Sequence, residues 1–297
     1  MADNLTYSYR MEKPVDYVPQ RVVSLVPSLT ESLFDLAIGD RLIAVTQYCV
    51  HPADQVARLP KVGGTKNPDI DRIVALRPDL VLMNQEENRR EDAERLTAAG
   101  IPIWVTAPNT LREALNLLWT IMDVFEQPSM VQRVRQIEIN YEWTLRVTAD
   151  SGRKKAFVPI WRDPWMTGNR DTFLSDMILT CGGENVLADR ERRYPLDADV
   201  GRTEPDTAAD RGVRYPRLSL EEVIAAQPEI VLLPSEPYAF TRADAEGFAG
   251  LAIPAARTGD IHLVDGSLLT WHGTRIALAL RELPPVFNAV PRPAPNP

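Results

Sequence analysis

Residues 69–83 read DIDRIVALRPDLVLM and residues 219–233 read SLEEVIAAQPEIVLL, at a constant offset of 150 residues. Pro78 aligns with Pro228, and Asp79 with Glu229. Each copy reads as an amphipathic helix, a proline stop and a short aliphatic strand, because the residue before a proline is pushed out of the helical region. Asn67–Pro68 is expected to supply an N-cap and first-turn proline to the first copy. Ser219 and Glu222 are expected to form a capping box for the second. Two similar αβ units so far apart imply two similar lobes, and two lobes in one chain imply a cleft that binds something.

Length and charge narrow the function. The chain has 297 residues, 44% hydrophobic and 25% charged, with a net charge of −8. That is a soluble globular composition without the basic stripe that nucleic-acid binding needs. Cys49 and Cys181 are too few for a disulfide framework. No stretch is long and apolar enough to span a membrane. The first twenty residues, MADNLTYSYRMEKPVDYVPQ, contain no basic–apolar leader and no cysteine for a lipid. The expectation is therefore cytoplasmic as written, or periplasmic or extracellular if a leader was removed.

The element pattern is that of a parallel sheet covered by helices. RVVSLV (21–26) reads as a buried strand, Ser28 and Glu31 as a capping box, Leu42–Val45 as a strand and 46–68 as loop. Asn88 is expected to cap a helix ending at Gly100, followed by a strand at 103–105. Thr110 and Glu113 open a long helical stretch whose apolar face runs from Leu111 to Phe125 and then from Val131 to Leu145. The expected layout is an α/β lobe over 21–109, bridging helices over 110–152, a second α/β lobe over 153–285 and a Pro-rich tail over 286–297. Within the second lobe, 187–214 is rich in Arg, Asp and Glu, and the tripeptide Arg-Tyr-Pro occurs near its start, at 193–195, and at its end, at 214–216. It reads as an exposed insertion, of a length that is often functional or mobile.

PSLTE (27–31), GGTKNPD (63–69), ALRPDLVL (75–82), the long helix and CGGEN (181–185) together resemble the class III substrate-binding proteins of ABC importers. These helical-backbone metal receptors include receptors for vitamin B12, siderophores and haem. The likeness runs from about residue 21 to 283. It implies an α/β fold of two Rossmann-like lobes with parallel sheets joined by a long backbone helix. It also implies a cobalamin, other corrinoid, haem or ferric-siderophore ligand, no catalytic cofactor, and an ABC permease as possible partner. The vitamin B12 receptor pattern places Tyr48 and His51 in a first-lobe loop, Trp161, Trp165 and Met166 in a second-lobe loop, and Tyr215 where a pocket tryptophan is expected. It departs at Asn84, where that pattern has a tryptophan, and at Ser267 and Trp271, where it has an Asp and an Arg.

The candidate residues also carry a reading of their own. Cys49 and His51 are a thiolate–imidazole pair that suits Zn, Co or Fe, or else a small buried thiol beside a turn histidine. Trp161, Arg162, Asp163, Trp165 and Met166 fall at the carboxyl end of a strand, where open α/β sheets bind ligands. The tryptophans suit stacking on a flat ligand, and Arg162 a carboxylate, phosphate or amide. Trp271 and His272 precede the last helix, as cleft lining, an axial ligand or helix-start packing. His262 reads as structural. Glu86, Glu87 and their repeat match Glu236 suit a cation, a membrane partner's arginines or a solvated helix start. No nucleophile elbow, P-loop, HExxH or GxGxxG motif occurs. Three functions remain: a binding protein for a metal chelate, a cytosolic metal- or tetrapyrrole-handling protein or enzyme on the same fold, and a ligand sensor that signals through 187–214.

Overall fold

A computed structural model of the chain describes residues 13–149, 152–206 and 212–288. The chain divides into two compact units, residues 1–139 with 271–276, and residues 140–270 with 277–297. The sequence expectation put 271–276 in the second lobe; the structure groups these residues with the first unit.

The first unit is built on four parallel strands, β1 (Val22–Ser24), β2 (Leu42–Val45), β3 (Leu80–Asn84) and β4 (Ile103–Thr106), in the order β2-β1-β3-β4. β1 and β3 are buried along their whole length, as strands covered by helices on both faces must be. Val23, Leu25, Ala44, Val81 and Met83 pack with Ile70, Ile73 and Leu96 of the covering helices. The second unit repeats the plan with β5 (Lys154–Phe157), β7 (Gly183–Asn185), β9 (Ile230–Pro234) and β10 (Ile261–Val264) in the parallel order β10-β9-β5-β7. A separate antiparallel pair joins β6 (Trp165–Met166) to β8 (Arg217–Leu218).

The sequence repeat has a shared geometric purpose. Both repeat helices end on a non-glycine left-handed residue, Arg77 (φ 49°, ψ 58°) and Gln227 (φ 50°, ψ 58°), just before the proline. The acid after the proline then fastens the neighbouring strand. Asp79 accepts from the backbone N–H of Gln20 (2.7 Å) and Arg21 (2.9 Å) at the entry to β1. Glu229 accepts from the N–H of Lys155 (2.8 Å) in β5. A charged acceptor makes each of these bonds stronger than a neutral one would be.

Several local expectations are corrected. The helix Pro27–Asp35 starts at its proline with Val26 as an uncapped N-cap, so Ser28 and Glu31 do not form a capping box. Proline at the first helical position brings no orphan N–H to cap. The first repeat helix, Ile70–Leu76, is capped by Asp69, which accepts from Arg72 N–H, and not by Asn67. Arg89, not Asn88, precedes the helix Arg90–Ala98. The capping box of Ser219 and Glu222 is present as expected.

The long helix Val131–Ala149 buries Val134, Ile137 and Tyr141. The last helix, Ile276–Asn288, runs through Pro284 and Pro285. Phe287 near its end is 2% exposed. The tail beyond Asn288 lies outside the described residues. The segment expected as an exposed insertion is pinned at its described parts. The buried Asp199 carboxylate pairs with Arg190 (3.0 Å) and accepts from the N–H of Arg193 (2.9 Å) and Arg217 (2.7 Å). Arg190 also reaches Glu222 (2.9 Å).

Candidate functional site

The carboxyl ends of the parallel strands carry the chemistry in each unit, as the topology of open α/β sheets favours. In the second unit β5 runs into Trp161, turns, and returns as β6; Met166 N–H donates to Trp161 C=O at 3.1 Å. Trp161 pairs across to Met166, and Met166 pairs across to Arg217. Directly opposed residues share a face, so Trp161, Met166 and Arg217 project on one side. Trp165 and its partner Leu218 project on the other, and Leu218 is 2% exposed.

That alternation separates the two tryptophans. Trp165 lies parallel to Phe240 (centroids 6.0 Å apart, 5° between planes) and edge-on to Phe248 (5.2 Å). Phe240 contacts Tyr238 (4.7 Å), and Tyr238 meets Trp161 edge-on (5.5 Å). Trp161 is 44% exposed at the end of this chain of rings. Trp165 is thus a support and Trp161 an available surface. Tyr238 and Phe240 were not singled out from the sequence. Their signal was the offset itself, since PSEPYAF (234–240) follows β9 as the Glu86–Glu87 loop follows β3.

The Arg162 guanidinium, expected to meet a ligand, has a partner in its own unit: it pairs with the buried Asp244 and lies over the Trp165 ring, 5.7 Å from the centroid. Asp244 also caps the helix Arg242–Ala249 by accepting from Thr241 N–H and Oγ1, both at 2.8 Å. Burial would raise the Asp244 pKa, but the Thr241 and Arg162 hydrogen bonds outweigh it and lower the pKa.

In the first unit the loop after β2 separates the proposed metal pair. Cys49 is 1% exposed, its Sγ set against the hydroxyls of Thr30 (3.1 Å) and Thr46 (3.2 Å). Burial raises its pKa, which disfavours the thiolate a metal requires. The His51 ring instead meets the edge of Trp271 at 5.8 Å. Among the described residues no group of three or more His, Cys, Asp or Glu is placed to hold a metal ion. The Cys49–His51 metal centre is therefore not assembled. Tyr48, in the same loop, is 54% exposed.

Residues 271–276 dock on the helix Pro27–Asp35 and use the polar groups released from capping. Arg275 grips Glu31 through two bonds (2.7 and 2.6 Å) and lies over the Trp271 ring at 4.9 Å. His272 Nε2 is 3.5 Å from Ser28 Oγ, and Ser32 Oγ accepts from Thr274 N–H at 3.1 Å. Trp271 is 8% and His272 5% exposed. Burial lowers the His272 pKa to about 4. A neutral, enclosed imidazole against a serine is a packing group, and the axial-ligand role is withdrawn.

Glu86 and Glu87 occupy the turn after β3, where the Asn84 side-chain oxygen accepts both of their N–H groups (2.8 and 3.2 Å). Lys66 Nζ donates to Glu86 C=O at 2.6 Å. Glu236 holds the corresponding place after β9, with Thr270 Oγ1 at 3.3 Å. His262 bonds Asp260 at 2.8 Å.

The family model described as periplasmic binding protein matches residues 22–261. The chain belongs to the periplasmic binding protein family. It is 26% identical over 275 residues to the vitamin B12-binding protein of Yersinia pestis (strain Pestoides F), covering 92% of this chain and 88% of that one. Among solved structures, the periplasmic vitamin B12-binding protein of Vibrio cholerae superposes with a TM-score of 0.71 at 20% identity, covering 92% and 98% of the two chains. The periplasmic haem-binding protein of Roseiflexus sp. RS-1 superposes with a TM-score of 0.68 at 22% identity, covering 90% and 97%. A periplasmic binding protein is a solute receptor, so the α/β substrate-binding expectation stands and the enzyme alternative falls. The solved relatives are described as periplasmic, and the cytoplasmic expectation has no support among them.

Proposed function

We propose that this periplasmic binding protein captures a corrinoid or related tetrapyrrole metal chelate, with cobalamin first among the candidates and haem or a ferric siderophore next. The observation that carries the reading is the chain of rings Trp165, Phe240, Tyr238 and Trp161, which ends in an exposed indole at the carboxyl edge of a parallel sheet. An aromatic face backed by packed rings stacks on a flat macrocycle at little cost in side-chain entropy. In the second unit the proposed contacts are Trp161, Met166, Tyr215 and Tyr238. The first unit by itself offers Tyr48 and His51, the His51 ring meeting Trp271 edge-on. The names of the relatives support the same ligand class. The metal belongs to the cargo, and recognition needs no catalytic cofactor. An ABC permease is the proposed partner, with Glu86, Glu87 and Glu236 as its contacts, and the periplasm the proposed compartment.

Tryptophan fluorescence, corrected for ligand absorbance, tests the reading with cyanocobalamin, cobinamide, haemin and a ferric siderophore. Saturable one-to-one quenching by a corrinoid or haemin, weakened at least tenfold in Trp161→Ala, is the expected result. Absence of saturable quenching by all four sinks the proposal.

A further inference from the structure

The two Arg-Tyr-Pro tripeptides noted in the sequence are brought together by the fold. Arg192 N–H donates to Val213 C=O at 2.8 Å, and Tyr194 Oη donates to Gly212 C=O at 2.9 Å. The Asp199 carboxylate ties both limbs by accepting from Arg193 N–H and Arg217 N–H. Its charge is also matched by Arg190, which the fold buries beside it. Two further guanidiniums gather over this clamp. Arg192 lies over the Tyr194 ring at 4.5 Å, and Arg217 Nη1 donates to Tyr215 C=O at 2.8 Å. Both are partly buried. Burial and then the neighbouring Arg192 charge lower the Arg217 pKa, against Asp199 and Tyr194, which raise it. The two cations therefore repel one another, and the Asp199 carboxylate beside them is already engaged with Arg190.

The position is as informative as the charge. Arg217 stands opposite Met166 and Met166 opposite Trp161, so Arg217 shares their face. Arg162, the cation first expected on this face, is held by Asp244.

We infer that Arg192 and Arg217 form an anion subsite beside Trp161 that receives a carboxylate on the rim of the ligand. The inference rests on the macrocycle reading above and reorders its candidates: an acid-bearing ring, such as a propionate-bearing porphyrin or a corrinoid with free acid side chains, moves ahead of cobalamin, whose side chains are amides. Planar guanidiniums match a carboxylate through paired N–H donors, and an arriving anion relieves the repulsion between them.

Two measurements test the subsite separately from the macrocycle. In the first, the full chain is titrated calorimetrically with dicyanocobyrinic acid, whose side chains are free carboxylates, and with its amidated counterpart dicyanocobinamide. The acid form is expected to bind at least tenfold tighter. That ratio is expected to fall towards one in Arg192→Gln/Arg217→Gln and with added salt. A ratio near one in the unaltered chain, or one unmoved by the double substitution, overturns the inference. In the second, thermal unfolding is followed with citrate or with chloride at matched ionic strength. Citrate is expected to raise the midpoint of the unaltered chain and not of Arg192→Gln or Arg217→Gln. Equal shifts in all three overturn the subsite. If neither corrinoid binds while citrate discriminates, the corrinoid candidates fail and the anion subsite stands.

Discussion

Acidification should loosen the first unit through one residue, His272. Its imidazole is 5% exposed, and burial lowers its pKa to about 4, against 6.5 in an unfolded chain. The folded state therefore holds the ring neutral, while the unfolded state takes up a proton as pH falls below 6.5. Stability contributed by the neutral ring is complete above that pH and is lost on descent towards 4. Proton linkage puts the loss at about 2 kcal/mol by pH 5 and about 3 kcal/mol by pH 4, the limit being the full shift at 1.36 kcal/mol per unit. Urea unfolding at pH 7, 6 and 5 measures it. His272→Gln keeps a polar group against Ser28 and removes the titration. The unaltered chain should lose about 2 kcal/mol more than His272→Gln between pH 7 and pH 5. Parallel stability profiles for the two proteins across that interval would refute the reasoning, because carboxylates titrate alike in both.

Three further perturbations probe the second unit. A Cβ added at Gly183 would sit 2.5 Å from the Phe287 ring and 2.7 Å from Ile178, both buried, so Gly183→Ala should cost about 1–3 kcal/mol in a chemical melt. Asp244→Ala removes the helix cap and the partner of Arg162. It should cost about 1–2 kcal/mol for the cap and weaken ligand quenching by freeing the loop that carries Trp161, which a melt and a titration read separately. Leu233→Ala, at a position 0% exposed in β9, should cost about 2–5 kcal/mol of unfolding free energy.

What could be read from the chain was local and periodic. Pro78 and Pro228 marked the end of each repeat helix because a proline restricts the residue before it whatever the tertiary context. Thr110 and Ser219 were legible as helix starts because their partners lie three residues away. Ser28 and Glu31 misled for the opposite reason. Their partners, His272 and Arg275, are 244 residues distant, and no window on the sequence contains both ends. β7 was passed over because GEN has no β-branched residue; its Gly183 is there to admit Phe287. The aromatic loop was legible as a place but not as an arrangement. Two tryptophans four residues apart look equivalent until the pairing of β6 with β8 sends Trp165 to the core and leaves Trp161 outside.

The repeat itself explains where function should be sought. Asp79 and Glu229 fasten β1 and β5 from equivalent places, and Arg77 and Gln227 turn the chain with nearly identical torsions. These are demands of one αβ scaffold made twice, and they account for the matching residues. The correspondence ends where each strand ends. After β3, Asn84 and Asn88 tie the turn into backbone groups: Asn88 Oδ1 accepts from Asn84 N–H, and its amide donates to Leu25 and Thr65 carbonyls. After β9 the same offset holds Pro234 and then the Tyr238–Phe240 rings that support Trp161. Phe240 belongs to the second unit's core and Tyr238 packs against it, so the scaffold accounts for those two rings. It does not account for the exposed Trp161 that they support, and at the carboxyl edge of a parallel sheet that indole is placed for the proposed ligand.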